Sequence, residues 1–332
     1  MSPVKSVSRL TPEKLDMVTK IARMYHEQGM RQPEIAERLH VSQSRVSRFL
    51  KEAVSLGIVR TVVTPPPGVH TELEEQVRDE YGLDDVVVTE ASGDDDASVI
   101  SGLGAMAAAY LETTLSANDR VGLSSWSATL LAAAYAMSPG PVPNAREVIQ
   151  VIGGVGDPSV QVEATRLTDR FARVTGGEPK FFHAPGIVGS RATRDALMED
   201  PYIKDLAEEW KNLSVLLAGI GSLNPSQLLA ASGNAVPSQE IEALRQSGAV
   251  GDVCLRYFDA QGDFVKTELD ARVVGISSED LLSVPRKIGV AGGTRKFEAI
   301  RAAARGQWVD VLITDATTAR RMLAEPHASP SA

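Results

Sequence analysis

The sequence is short of the residues that staple, ligate or catalyse. Its 332 residues include one cysteine and five histidines. A single cysteine, Cys254, closes no internal disulfide, and nothing around it has zinc-ligand spacing. It stands in an apolar run and reads as a buried strand residue. No apolar run approaches the roughly 18–20 residues that span a bilayer. No apolar segment precedes a cleavage site near the N-terminus, so no signal peptide is expected and the expected location is the cytoplasm. Several segments are glycine-rich, but none has the G-x-G-x-x-G spacing of a dinucleotide fingerprint, which argues against NAD. No cofactor and no metal are expected. Disorder is excluded from the other side, because hydrophobic residues make up 43% of the chain, enough for a substantial core.

What the chain does have is an uneven charge. The net charge is −9. Residues 1–64 nevertheless carry eleven lysines and arginines against six acidic residues, so the excess of acid lies entirely in the remainder. A basic head on an acidic body fits a nucleic-acid binder with a separate regulatory part.

Within the head, residues 11–28 predict a helix, with Thr11 as cap, Pro12 at the first helical position and Gly29 at the exit. A second helix is expected over Gln32–Leu39 and a third over Gln43–Ser55, capped by Ser42 and closed by Gly57. Ile58–Thr64 is short and β-branched and reads as a wing strand. Pro65-Pro66-Pro67-Gly68 breaks the chain. Thr71–Tyr81 then predicts a charged connecting helix. Beyond it, strands are expected at Val86–Thr89, Arg120–Leu123, Val148–Ile152, Lys180–His183, Ser214–Ala218, Gly251–Tyr257, Val273–Ile276, Lys287–Ala291 and Val309–Thr314. Helices are expected between many of them, at Ala97–Leu115, Ser127–Met137, Gln161–Thr175, Arg191–Glu199, Ser238–Gln246, Arg295–Arg305 and Ala316–Leu323. This alternation predicts an α/β domain with a mostly parallel sheet covered on both faces. Asp94-Asp95-Asp96 reads as a solvated loop.

Two constellations carry chemistry. The first is Gln32 to Leu50, which follows helix-turn-helix grammar. Ile35, Ala36 and Leu39 give one apolar side, Val41 and Val46 fill the angle, and His40 takes a turn position often held by glycine. Gln32 opens the first of the two helices. The second presents Gln43, Ser44, Arg45, Ser47, Arg48 and Lys51 outward, residues suited to base edges and phosphates in a major groove. Gln43, Ser44 and Arg48 are the expected base readers, and Arg45, Ser47 and Lys51 the expected phosphate contacts. A protein-interaction module with a solvated basic face is the plainer alternative.

The second constellation is a set of loops at the carboxyl ends of expected strands, where open α/β sheets bind ligands. Gly122 to Leu130 leaves a strand and enters a helix with Ser124, Ser125, Ser127 and Thr129 as hydroxyl donors, an arrangement able to hold an anion or equally a serine-rich cap. Gly153-Gly154 and Gly219–Ser222, including Gly221, are similar switches. Gly292-Gly293 leads to Lys296, a point charge for a phosphate. Asp315 caps the last helix or touches a ligand.

Taken in order, these pieces resemble the SorC family of sugar-responsive transcriptional regulators. The resemblance is carried by Val121-Gly-Leu-Ser, Trp126-Ser-Ala-Thr-Leu, Val151-Ile-Gly-Gly, Leu217-Ala-Gly-Ile-Gly-Ser, Gly248-Ala-Val-Gly-Asp-Val with Phe258-Asp259, Val290-Ala-Gly-Gly with Lys296, and Asp310 to Ala319. It implies a sensor domain similar to the sugar-phosphate isomerase and deaminase fold, dimers or tetramers, and a small sugar, polyol or sugar-phosphate effector. By position it places effector contacts on Ser124, Ser125, Trp126, Ser127, Ala128, Thr129 and Lys296, with Asp252 and Arg256 on the sugar part. The chain departs from the family's usual loop, since Ser127-Ala128 stands where a glycine is common.

The expected organisation is a helix-turn-helix domain at 1–64, a linker and connecting helix at 65–82, an effector domain at 83–325 and a tail at 326–332. The expected partners are double-stranded operator DNA, the effector and further copies of the chain. The competing reading is a sugar-phosphate isomerase or deaminase with a DNA-binding head. Such chemistry needs a positioned base. His26, His40 and His70 lie in or beside the head, His327 lies in the tail, and His183 has no acid near it in sequence.

Overall fold

The computed structural model describes residues 11–59, 69–90, 95–124, 126–154, 158–224 and 236–325. The remainder of the expected wing strand, the proline-rich linker, Ser125, His327 and the tail lie outside the described residues. The chain divides into two compact units, Met1–Pro65 and Pro66–Ala332.

The smaller unit contains α1 (Pro12–His26), α2 (Gln32–Arg38) and α3 (Gln43–Ser55). The Thr11 hydroxyl accepts the Lys14 N–H and the Ser42 hydroxyl accepts the Arg45 N–H, so both expected caps form. Val18, Ile21, Ile35, Ala36, Val46, Phe49 and Ala53 make one buried cluster, with Leu39 and Val41 packed against it. Helical spacing alone brings these residues together. The turn between α2 and α3 passes through His40 in the left-handed region, at φ 52°. A residue with a Cβ loses about 1 kcal/mol there, and His40 is exposed. His40→Gly is therefore expected to stabilise this unit by about 0.5–1 kcal/mol. A denaturation midpoint that stays put or falls would show that the imidazole compensates for the strain.

In the larger unit, α4 (Thr71–Tyr81) packs on the final helix, and the Tyr81 hydroxyl donates to the Met322 carbonyl at 3.0 Å. The strands are β1 (Asp85–Thr89), β2 (Arg120–Leu123), β3 (Glu147–Gln150), β4 (Glu178–Lys180), β5 (Val215–Gly219), β6 (Gly221–Ser222), β7 (Ala249–Val253), β8 (Arg256–Asp259), β9 (Arg286–Val290) and β10 (Val311–Asp315). Seven form one sheet in the order β1-β10-β9-β5-β2-β3-β4. Every pairing in it is parallel. Helices α5 (Asp96–Thr114), α6 (Ala128–Ala136) and α7 (Pro158–Thr175) supply one core. The opposite core takes α4, α8 (Arg191–Glu199), α9 (Pro201–Glu208), α12 (Phe297–Arg305) and α13 (Ala316–Ala324). The period of two sorts β5 between them. Val215 and Leu217 enter the first core, and Leu216 and Ala218 enter the second. Helices α10 (Ser238–Gln246) and α11 (Ser278–Ser283) complete the larger unit's described helices.

Three expectations fail. The strand expected at Lys180–His183 is instead Glu178–Lys180, so Phe181–His183 lie past its end. Gly251–Tyr257 is not one strand. Cys254 and Leu255, at φ 53° and 60°, turn it into the β7–β8 hairpin, which pairs with β6 as a small antiparallel sheet. Two left-handed residues suit a tight hairpin turn, though glycine or asparagine normally fills it. Val273–Ile276 is not a strand either. It makes only single bridges, Ile152 to Gly275 and Ile187 to Val273. Its N–H groups go instead to loop carbonyls, Val274 to Gly186 and Ile276 to Val151.

The topology creates a crevice. From β2 the chain proceeds outward through β3 and β4, then returns to β5 on the other side of β2. The loops leaving β2 and β5 therefore part above the sheet's carboxyl edge, where open sheets bind ligands.

Candidate functional site

A cavity of about 820 Å³ occupies that crevice. Five strand exits and one turn build its wall, Ile152 being the contribution that follows β3. Ser124, Trp126, Ser127, Ala128 and Thr129 come from the β2–α6 junction. Gly219 to Ser222 follow β5, and Gly292, Gly293, Arg295 and Lys296 follow β9. Asp95 to Leu103 belong to the first turns of α5, after β1, and Asp252, Cys254 and Leu255 to the hairpin turn.

Local bonding holds the wall in place. The Ser124 hydroxyl accepts the Gly219 N–H at 3.4 Å, linking the two parted loops. The Ser127 hydroxyl accepts the Leu130 N–H at 3.2 Å and caps α6. A helix start leaves further backbone N–H groups unbonded, so this junction suits an anion. The Lys296 ammonium donates to the Ile220 carbonyl at 2.9 Å. Burial holds its pKa below the usual lysine value, with the Asp252 charge working in the opposite direction. Gly293, at φ 89°, gives its N–H to Asp315, which also accepts from Thr318 and caps α13. Asp315 thus shapes the loop from behind and is not among the lining residues.

Asp252 faces Gly221 so closely that a Cβ on that glycine would lie 2.0 Å from its Oδ1. Its Oδ2 accepts the Leu255 N–H at 2.9 Å, which holds the strained turn. Burial pushes the carboxyl up to about 6, against the Leu255 hydrogen bond and the Lys296 charge, which pull it down. In the unfolded chain the group titrates near its ordinary value of 3.8. The folded protein therefore keeps a proton that the unfolded chain releases between about pH 4 and pH 6. Asp252 contributes stability below that window and loses it as pH rises through 6. Relative to Asp252→Asn, the wild-type melting temperature is expected to fall across pH 4–6.5. Parallel pH profiles for the two proteins would contradict this.

Of the twelve expected effector residues, eight line the cavity: Ser124, Trp126, Ser127, Ala128, Thr129, Gly221, Asp252 and Lys296. Ser125 lies outside the described residues. Gly153 and Gly154 are not in the lining, and their neighbour Ile152 is. Gly153 is a packing glycine, since a Cβ there would meet the Pro185 carbonyl at 2.2 Å. Arg256 also departs from expectation. It is buried behind the wall, and its guanidinium donates to the carbonyls of Ile276, Gly275 and Asp270 and to the Asp270 carboxylate. Arg256 is not among the lining residues.

Sequence reasoning missed the α5 contribution. Asp95 caps α5 through the N–H groups of Ala97 and Ser98, and Asp96 pairs with Arg295 across the cavity wall. A helix following a strand of a parallel sheet starts at the carboxyl edge, so the β1–α5 order already implied this position. Among the described residues no histidine lines the cavity, and His183 is exposed elsewhere.

In the smaller unit, Gln43, Ser44, Arg45, Arg48 and Lys51 are exposed along α3, while Ser47 and Gln32 are partly buried. The Arg45 guanidinium lies 5.6 Å from the Phe49 ring centre, which steadies it over the helix. Among the described residues no helix is long and apolar enough to cross a membrane.

Comparison with known proteins agrees with this geometry. A family described as "Putative sugar-binding domain" matches residues 66–324. The deoxyribonucleoside regulator of Bacillus subtilis is 30% identical over 311 residues, covering 94% of this chain and 98% of that protein. The sorbitol operon regulator of Klebsiella pneumoniae is 27% identical, over 92% of this chain and 97% of its own length. The crystal structure of that full-length regulator, SorC, superposes with a TM-score of 0.71 at 26% identity, covering 93% of this chain and 98% of that one.

Proposed function

The chain belongs to the SorC family of transcriptional regulators with a sugar-binding domain, and from that premise we propose how it works. The unit up to Pro65 reads operator DNA, and the unit from Pro66 onward binds a small sugar, polyol or sugar phosphate that changes operator affinity. One observation carries this reading. Polar and basic side chains stand exposed along α3 in a unit of its own, while the larger unit holds a cavity of about 820 Å³ with Lys296 in its wall. We take it for a regulator rather than an enzyme, as its relatives are named regulators and, among the described residues, no histidine lines the cavity.

On the DNA side, α3 enters a major groove. Gln43, Ser44 and Arg48 meet base edges, and Arg45, Ser47 and Lys51 meet phosphates, with Gln32 at the backbone from α2. One head reads one half-site, so the working form is a homo-oligomer with paired heads. On the effector side, the α6 start and Lys296 hold an anionic end, and Asp252 accepts sugar hydroxyls. Binding shifts a coupling free energy between the two functions.

Operator titrations by fluorescence anisotropy test the reading. Arg48→Ala is expected to cost about 1–3 kcal/mol on the cognate operator and to relax its sequence preference. Lys51→Ala is expected to weaken all sequences alike and to reduce the salt slope by about one. Unchanged operator affinity in both variants would dismiss α3 as the reading helix. A panel of sugars, polyols and sugar phosphates that leaves operator affinity untouched would dismiss the sensor.

A further inference from the structure

Two opposite charges stand in the cavity wall without meeting. The Lys296 ammonium donates to the Ile220 carbonyl, and the Asp252 carboxylate lies against Gly221, so the pair flanks a single peptide unit. Asp252 accepts the Leu255 N–H at Oδ2, and among the described residues its Oδ1 has no hydrogen-bond donor. Each charge thus bonds to backbone and not to the other. Both side chains are half-buried and both line the cavity, within reach of one ligand.

Lys296 is the charge that pulls the Asp252 carboxyl down. The other groups around it are neutral or engaged. On the hairpin, burial raises the Cys254 thiol and the Tyr257 phenol, so both stay neutral, and Arg256 is bound to Asp270. On α10, Glu240 is paired with Arg272. Helix α12 brings Ala299 against Gly251, and its Glu298 and Arg301 pair with each other. At the rim, Arg295 is paired with Asp96. An anion at Lys296 therefore acts on Asp252 in three ways of one sign. It screens the cation that keeps the proton off, adds its own repulsion, and takes water away from the carboxylate. Each favours the protonated form.

We infer that effector binding is proton-coupled: as the anionic end of the effector takes the Lys296 charge, the Asp252 carboxylate takes one proton from solution. This rests on the proposed anionic effector and adds its regulation. The protonated carboxyl keeps the Leu255 N–H at Oδ2, and its Oδ1 hydroxyl remains a partner for a sugar hydroxyl. The free protein releases this proton as pH rises through about 6, and the complex holds it to higher pH. Anion affinity is thus level below that point and falls above it, by at most about tenfold per pH unit. A phosphate monoester loses its own second proton near about pH 6, which weakens its binding on the acid side. The response to a sugar phosphate therefore peaks near that pH, and the regulator reads acidity together with its effector.

Inorganic sulfate is the probe, because it carries no proton to gain or lose in the range used. Its affinity for the full-length protein is measured by calorimetry at constant ionic strength, from about pH 5 to about pH 8. Wild-type affinity is expected to stay level to about pH 6 and to fall about tenfold by about pH 8, with a level profile in Asp252→Asn. Repeating the wild-type titration at about pH 7 in buffers of different ionisation heat should show uptake of about half a proton per sulfate, a count that needs no variant. A level wild-type profile without uptake overturns the inference and leaves the anion site standing. A fall that persists in Asp252→Asn also overturns it, because Lys296 is then the titrating group. If sulfate does not bind, the anion site falls and the inference with it.

Discussion

Arg256→Ala is expected to destabilise the larger unit by about 3–5 kcal/mol. The guanidinium is 3% exposed and makes four hydrogen bonds, at 2.8 Å to the Ile276 carbonyl, 3.1 Å to the Gly275 carbonyl, and 3.3 and 2.5 Å to the Asp270 carbonyl and carboxylate. Burial holds its pKa below the usual arginine value, and the Asp270 charge opposes that fall. Truncation strands two buried carbonyls and a partly buried carboxylate. Arg256→Lys keeps the charge but not the planar fork, so it should recover only part of the loss. Arg256→Met with Asp270→Leu should recover more, because removing both charges avoids the unpaired one. The consequence reaches the cavity. Arg256 fastens the 273–276 segment to the hairpin, and that segment bridges to Ile152 in the cavity wall. Chemical denaturation with an unchanged m-value is the measurement. A variant of wild-type stability that loses effector affinity would return Arg256 to the role of a direct sugar contact.

The sequence made Arg256 look like such a contact because charge and position in a motif are visible there, and the direction of a side chain is not. Asp252 and Arg256 are joined only through the family resemblance. In the structure Asp252 lies on β7 and Arg256 on β8, separated by the turn at Cys254 and Leu255. Neither residue type favours a left-handed turn, so local propensity gave no warning, and the turn is held from outside by Asp252. Strain of this kind collects at binding sites. Elsewhere the pattern was legible for plain reasons. Helix α3 was bounded correctly because Ser42 and Gly57 mark its ends and Val46, Phe49 and Leu50 fix its buried face. Strands β2 and β5 were legible as short β-branched or leucine-rich runs between helical stretches. The Ser124–Thr129 and Gly292–Lys296 loops met at one cavity because strands of a parallel sheet all deliver their carboxyl ends to one edge. The α5 turn escaped because three successive aspartates read as solvent-facing. Asp95 and Asp96 are indeed exposed; what the pattern hid is that Asp95 caps the helix and Asp96 answers Arg295 at the rim of the cavity.

Lys296→Met is expected to move stability and affinity in opposite directions. In the ligand-free protein the ammonium is held in the wall with the Ile220 carbonyl as its hydrogen-bond acceptor, and burial depresses its pKa. The charge is therefore costly to the fold, and Asp252 offsets the cost only in part. A methionine of similar length removes the penalty while filling the same channel. The melting temperature of the ligand-free variant should match or exceed that of the wild type. Affinity for an anionic effector should fall by about 2–5 kcal/mol, at least about thirtyfold in Kd. The effector-dependent change in operator affinity should vanish at concentrations that saturate the wild type. Asp252 provides an internal check, because Lys296 is the charge that holds its carboxyl down. Without it, the pH window separating the protein from its Asp252→Asn counterpart should extend above 6. A lysine kept for structure would show the reverse, with a lower melting temperature and effector affinity carried down only as far as the fold is lost. Opposed signs are what a site built for an anion predicts, since the free energy spent holding an under-compensated charge in the empty cavity is recovered when the ligand neutralises it.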